Sequence, residues 1–461
     1  MQSERVLIST IYFQMKTQIK SSLFFDLILL FCTAAVLRIA YILTYGIWKG
    51  GDTLEYIDIA KNLVFNHAFA YTKQDGTLLY TAFRSVSYPA LIALLWTGDE
   101  PPINFVLALQ VILGSLTVVI TYLIARKHFN RRIAIISALL FALLPIAIKY
   151  TGVILTESLF TFLLVAACYL WGNKKSIAAG ILFGIAFLTR PIVFPFLLLL
   201  PLISFLPSFK DMRRSLFTIT IISVLVALPW IARNTLLFNQ FTLTQSSGYG
   251  TNLLFGTIDI PLHGINFWPW IYGLPLTQNV DGLNEVEQDR RKLNIAVNRI
   301  AENPFGWLKV RVKQYPRLFF ETKDSLLGGL RLPPLSQAVK ESDFLVIFIK
   351  VGFVAASAAL FLLFAFGSAG FIKRYPRLLH IYLLPIFFML IHLPMWTESR
   401  YLLPVMPFIY VVAVYGLVIL KDYFHHSTNQ MKLSSLSRSD DQDVSGESLP
   451  KVVELRLSIL D

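Results

Sequence analysis

Long apolar runs recur along almost the whole chain, each close to the twenty or so residues that carry a helix across a bilayer. They predict ten spans, near 23–46, 103–126, 133–149, 152–171, 176–190, 191–207, 215–232, 344–368, 377–395 and 402–420. The fifth and sixth are short and meet at Thr189-Arg190-Pro191. The first starts near Leu23 behind polar and basic residues, with no small-residue cleavage site, and reads as a retained helix. Two long polar stretches, 47–102 and 233–343, interrupt the runs. In the first, Tyr56, Ile59, Ala60 and Leu63 recur at helical spacing while Asp58 and Lys61 turn to water, so an amphipathic helix is expected. Ser87-Tyr88-Pro89 then leads into a run too short to span, expected to lie in the interface. In the second stretch, Leu293, Val297 and Ile300 share one face of a helix that should stop at Asn303-Pro304. Phe267–Gly273 is aromatic enough to meet lipid headgroups or substrate. Past Lys421 the chain turns polar, and Gln430–Asp461 reads as a disordered tail. The pattern is that of an all-α polytopic membrane protein with about ten spans (nine to thirteen). Residues 1–420 form its membrane domain and 421–461 a cytoplasmic tail.

Composition agrees. The 461 residues are 55% hydrophobic and only 15% charged, with mean hydropathy +0.61, whereas soluble chains carry about 25% charge. The net charge of +13 sits in short loops, at 125–132, 172–176, 209–214 and 372–377. All four fall on one side, which the positive-inside rule makes cytoplasmic. The charge therefore reports orientation in the bilayer, not nucleic-acid binding. Both termini fall inside; 47–102 and 233–343 fall outside, with active chemistry expected at an extracytoplasmic face of the cell membrane. Cys32 and Cys168 lie within apolar runs, so neither a disulfide framework nor a thiolate metal site is expected. There is no Walker loop, no GxGxxG opening a helix, no HExxH and no GxSxG. No cytoplasmic loop is long enough for a nucleotide-binding domain. An enzyme built this way draws its activated substrate from the membrane.

Chemistry-bearing residues cluster at the outer helix ends. Asp52 follows the first span, with Glu55 one turn later. Either can be a solvated surface acid. Glu157, at the outer part of the fourth span, is less ordinary, because acid within a span costs roughly 2.5–3.5 kcal/mol at mid-bilayer and seeks a cavity or a partner. Arg84, Arg190, Arg233 and Arg400 run against the positive-inside bias; arginine grips phosphate with a rigid fork of donors, although a single one is more often a snorkelling anchor. Tyr56, Tyr88, Tyr249 and Tyr401 could stack on sugar. His67 and His263 lie outside with no metal-ligand spacing, so no metal ligands are assigned.

From about Leu23 to Leu420 these elements resemble the polytopic glycosyltransferases of the GT-C superfamily, nearest to glycosyltransferase family 39, with its protein O-mannosyltransferases and lipid A aminoarabinose transferases. The resemblance rests on an ordered set. Asp52, Tyr56, Ala60 and Leu63 come first, then Arg84 with Ser87-Tyr88-Pro89, Thr156-Glu157-Ser158, and "GILFGIAFLTRP" from Gly180 to Pro191. "PWIARN" (Pro229–Asn234), "ENPFGWLKV" (Glu302–Val310) and "SRYLLPVMP" (Ser399–Pro407) complete it. The set departs from many relatives at Asp52-Thr53, where they carry Asp-Glu. It departs from the aminoarabinose branch at Arg84-Ser85-Val86, where a Lys-Pro-Pro element is usual.

The resemblance implies a polyprenyl-phosphate sugar donor, an extracytoplasmic acceptor (protein, glycolipid or surface glycan) and inversion at the anomeric carbon. It implies Asp52 as general base and Glu157 as its catalytic companion, orienting the acceptor, tuning Asp52 or helping hold a cation. Arg84 would meet the donor phosphate, backed by Arg233 and Arg400, with Tyr88, Glu55, Arg190 and Tyr401 completing the substrate-binding set. The resemblance fixes no cofactor and leaves room for a divalent cation beside the acids. A transporter or lipid-linked sugar flippase is the competing class, but the spans show no inverted repeat and the acids sit at the edge of the bilayer, not its midplane. The topology is testable. Single cysteines placed in 233–343 should label in intact cells and cysteines after Lys421 should not; the reverse pattern would remove the extracytoplasmic reading.

Overall fold

The computed structural model of the chain describes residues 2–47, 51–243, 245, 248–260, 267–320, 335–421 and 423. The expected tail Gln430–Asp461, and His263, lie outside the described residues. The apolar runs fold as helices in the order read from the sequence. α1 is Gln2–Tyr45, and its apolar part begins at Ser22. After it come α2 (Thr53–Phe65), a two-stranded antiparallel hairpin of β1 (Ala70–Thr72) and β2 (Leu78–Tyr80), and α3 (Ser87–Leu94). α4 (Ile103–His128), α5 (Arg131–Ala142), α6 (Pro145–Lys149), α7 (Glu157–Gly172), α8 (Ser176–Phe187), α9 (Val193–Ile203) and α10 (Arg213–Phe238) follow. A second excursion holds α11 (Tyr249–Phe255), α12 (Phe267–Tyr272), α13 (Glu285–Glu302), α14 (Pro304–Gln314) and α15 (Leu335–Lys340). α16 (Phe344–Arg374), α17 (Leu379–Ile391) and α18 (406–421) close the bundle.

Among the described residues, five segments are long and apolar enough to cross a membrane, or six if α5 and the bent helix after it, from Pro145 to Gly152, count as one span. Proline explains that 55° bend, since Pro145 has no N–H to continue the ladder. The other apolar helices, α7, α8, α9 and α17, have 16, 12, 11 and 13 residues. At 1.5 Å per residue they reach only about 16–24 Å, against a hydrocarbon layer of about 30 Å. Their shortness lets chain ends meet below the rim of the bundle. Lipid-ready surface lies outside, where Phe24, Phe25, Leu43, Phe344 and Phe348 are exposed.

Packing within the bundle is close where side chains are small. A Cβ on Gly180 would sit 2.8 Å from Ile222 Cβ, and one on Gly184 would sit 2.6 Å from Val226 Cβ. Ser223 Oγ also donates to Gly180 O at 3.0 Å. This small-xxx-small face is the usual device for close helix approach in lipid, and it accounts for the glycines of "GILFGIAF".

The polar excursions form a layer over one end of the bundle. α2 buries Tyr56, Ile59 and Ala60, as its spacing predicts. Asp58 differs from expectation: its carboxylate accepts from Thr72 N and Oγ1, both at 2.8 Å. It pins the hairpin to α2, a contact between segments that periodicity cannot show. α13 stops at Asn303-Pro304 as read, but its buried stripe runs through Val286, Asp289, Lys292 and Ala296, while Val297 is half exposed. Polar groups occupy this stripe because α13 caps its neighbour. Asp289 accepts from Gly248 N, Gly250 N and Thr251 N at 2.9–3.0 Å, supplying from the side the N-terminal cap α11 lacks.

That contact admits no side chain at Gly250, where a Cβ would lie 1.9 Å from Asp289 O. Gly250→Ala should destabilise by about 1–3 kcal/mol through overpacking. Gly352, in the middle of α16 with nothing within 4 Å of an added Cβ, should accept alanine at no loss. Thermal melts of both variants in detergent check the pair.

Candidate active site

Asp52 occupies the N-cap position of α2 without capping it, so its carboxylate is available. Thr53 Oγ1 donates to Ile154 O at 3.1 Å, tying the start of α2 to the chain just before α7. Arg84, on the segment entering α3, bridges two acids: Nη2 lies 2.7 Å from Asp52 Oδ1 and Nε 2.6 Å from Glu55 Oε2. The rings of Phe83 and Tyr56 lie 4.8 and 5.7 Å from its guanidinium carbon. Burial works against the charge on Arg84, but the carboxylates of Asp52 and Glu55 oppose it, and the guanidinium is held above its usual pKa. Burial pushes Tyr56 up to about 12, so it stays a neutral phenol. Tyr88 lies beneath it with no exposure. Its ring meets Tyr56 edge-on at 5.1 Å, and its hydroxyl donates to Gln110 Oε1 at 2.7 Å. Tyr88 supports the site from the core and does not line it.

A second ion cluster lies at the start of α7. Glu157 is the first residue of that helix and is fully buried. Arg190, where the chain turns from α8 to α9, brings Nη2 to 2.7 Å from Glu157 Oε1, and Arg400 Nη1 lies 3.6 Å from the same oxygen. Neither Glu157 oxygen is aligned for a hydrogen bond, so charge attraction holds the trio together. Arg190 Nε donates to Thr156 Oγ1 at 2.7 Å. Arg400 Nε pairs with Glu398 Oε2 at 2.8 Å.

The two clusters meet across one cavity of about 230 Å³. Asp52, Tyr56, Arg84, Arg190, Arg400, Tyr249 and Tyr401 line it, together with the apolar side chains of Phe160, Ile192, Phe388 and Ile391. Glu157 lies behind the arginines. Glu55 faces the other way, into a second cavity of about 530 Å³ between α2, the hairpin and α13. The Asp52–Arg84–Glu55 bridge is thus shared between the two. Arg233 joins neither wall: its Nη1 donates to Thr81 O at 2.6 Å and its Nη2 to Phe69 O at 3.2 Å. It fastens α10 to the first excursion.

Several residues at the site carry no signal in sequence. Gln245 and Trp396 line the first cavity as isolated loop residues. Glu285 accepts from Thr81 Oγ1 at 2.8 Å and Ala82 N at 2.6 Å, holding the segment that carries Arg84. Only the four-residue spacing of Glu285 and Asp289, on one face of α13, hints that both have partners. No group of three or more acids, histidines or cysteines able to hold a metal ion exists among the described residues.

Comparison with known proteins was informative once this geometry was in hand. Residues 89–233 match the family model for dolichyl-phosphate-mannose-protein mannosyltransferase. The oligosaccharyltransferase AglB of Archaeoglobus fulgidus, solved with an inhibitory peptide and a dolichol-phosphate, is 15% identical; the match covers 94% of this chain and 53% of that one, with a TM-score of 0.50. ArnT from Cupriavidus metallidurans, bound to undecaprenyl phosphate, is 14% identical over 84% of this chain and 76% of its own, at a TM-score of 0.38. The chain spans about half the length of the oligosaccharyltransferase chains it matches. No curated protein matches it. The chain shares the fold of the AglB oligosaccharyltransferase, and its residues 89–233 are similar to the mannosyltransferase family.

The burial of Glu157 yields a prediction. Glu157→Gln leaves Arg190 without its counter-charge, while Arg400 keeps Glu398, and should destabilise by about 3 kcal/mol. Neutralising exposed Asp75, at the hairpin turn, should cost under about 0.5 kcal/mol. Melting in nanodiscs measures both; equal effects would mean Glu157 contributes no more than a surface charge.

Proposed function

We propose that the protein is an integral membrane glycosyltransferase that moves a sugar from a polyprenyl-phosphate donor to an acceptor hydroxyl at the extracytoplasmic face, with inversion. The observation that carries this is the first cavity, lined both by the guanidiniums of Arg84, Arg190 and Arg400 and by apolar side chains such as Phe160, Phe388 and Ile391. A lipid phosphate presents the same two chemistries. The family match over 89–233 supports a lipid-phosphate sugar as donor, and the dolichol-phosphate held by AglB agrees with it. The orientation is supported by the basic loops, which gather at the opposite end of the bundle. There Lys127 Nζ bonds Asn173 Oδ1 at 2.8 Å and Arg377 pairs with Asp211 at 3.1 Å.

In the reaction the acceptor oxygen attacks the anomeric carbon as the bond to phosphate oxygen breaks. The electron pair leaves on the phosphate and the acceptor proton passes to Asp52, a step typically worth 10²–10⁴ in rate. Arg190 and Arg400 face the cavity from its floor and suit the departing phosphate, with Tyr249 and Tyr401 beside them. Preorganised cations at the site of growing charge are the larger part of such catalysis. Glu157 positions these two arginines and does not touch the reacting atoms. Arg84 positions the Asp52 carboxylate through their 2.7 Å ion pair and adds a further phosphate contact.

Asp52→Asn should lower turnover by about 10²–10⁴ with donor binding retained. Arg190→Ala and Arg400→Ala should weaken donor binding instead. The measurements are transfer from polyprenyl-phosphate-mannose and donor binding by purified variants in nanodiscs. Near-normal transfer by Asp52→Asn would defeat the general-base role.

A further inference from the structure

We infer that the second cavity is the acceptor site and that it selects a saccharide presenting hydroxyls and no phosphate; this deepens the glycosyl-transfer reading and rests on it. The cavity, at about 530 Å³, is within the usual range for small-molecule sites. It adjoins the reaction centre through one side chain, Arg84, whose guanidinium reaches Asp52 on the first cavity and Glu55 on the second. A hydroxyl entering from this side comes up against the bridge that holds the base.

The chemistry of the wall sets the class of ligand. Glu55, Asp58, Glu285 and Asp289 contribute four carboxylates, against one ammonium from Lys292. Each carboxylate already accepts from the protein: Glu55 from Tyr71 OH at 3.2 Å, Asp58 from Thr72, Glu285 from Thr81 and Ala82, and Asp289 from the start of α11. They are anchored, and a carboxylate has about four acceptor directions; Asp289, accepting from Gly248 N, Gly250 N, Thr251 N and Thr251 Oγ1, is filled, whereas Glu55, Asp58 and Glu285 keep capacity. Such a wall takes donors. Sugar hydroxyls supply them in adjacent pairs. A phosphorylated saccharide would bring negative charge against Asp58, Glu285 and Asp289, Glu55 being already paired with Arg84. A peptide backbone needs donors for its carbonyls as often as acceptors for its N–H groups, and Lys292, already bonded to Asn279 Oδ1 at 3.0 Å, is the wall's single cation.

Leu79 allows the test without disturbing this machinery. It lines the cavity and is 48% exposed. The probes are mannobiose, mannobiose 6-phosphate and a serine-containing tetrapeptide. Binding to the full chain in nanodiscs is read by saturation-transfer NMR, and transfer from polyprenyl-phosphate-mannose by product analysis. Mannobiose should bind best, with the phosphate form at least tenfold weaker. Leu79→Trp should raise the mannobiose KM tenfold or more and leave donor affinity unchanged. Leu79→Lys should narrow the gap between the two saccharides. Preference for the phosphorylated probe or the peptide would overturn the assignment, as would a Leu79→Trp variant that binds mannobiose normally. Mannobiose binding that Leu79→Trp abolishes, without any donor binding, would uphold the site while overturning the transferase reading.

Discussion

A charge moved out of water must take its partner with it, and the working end of this protein is organised by that requirement. Glu157 has no exposure. It is tolerable there because Arg190 and Arg400 converge on it from residues 33 and 243 positions downstream. Arg84 is likewise balanced by Asp52 and Glu55. Removing one member of either group leaves an uncompensated charge in a low-dielectric setting, where breaking a pair costs far more than forming it gains. The helix ends that carry these residues are therefore held to a common place. α7 begins, α8 and α17 end, and the 3-10 turn Ser399–Val405 starts, all around one cavity.

The layer above the bundle follows from the same economy of polar groups. Glu285 and Asp289 on α13 reach opposite ways, one to the strand-to-α3 segment and one to the open start of α11. Arg233 spans from α10 to Phe69 O and Thr81 O, and Arg311 Nε donates to Leu393 O at 2.8 Å. Few apolar side chains hold this layer, and their cluster around Leu254, Phe255 and Trp396 is small. Directed bonds to backbone groups carry much of its register. Two cavities result, one floored by arginines and open to apolar helices, the other walled by carboxylates, with Arg84 between them.

Hydrophobic periodicity by itself determined the helices, their order, the break at Thr189-Arg190-Pro191 and the amphipathic character of α2, because lipid burial leaves a long and unambiguous signal in composition. Asp52, Arg84, Arg190 and Arg400 were also legible, since charge at an apolar helix end is rare enough to notice. The sequence could not say which of these share a cavity. Tyr88 and Arg233 looked equivalent to Tyr401 and Arg400 along the chain, yet the first pair supports the scaffold and the second lines the cavity. Asp58 read as a surface acid until the hairpin folded back onto it. Those distinctions depend on which backbone groups from distant segments arrive within 3 Å, and only tertiary structure decides that.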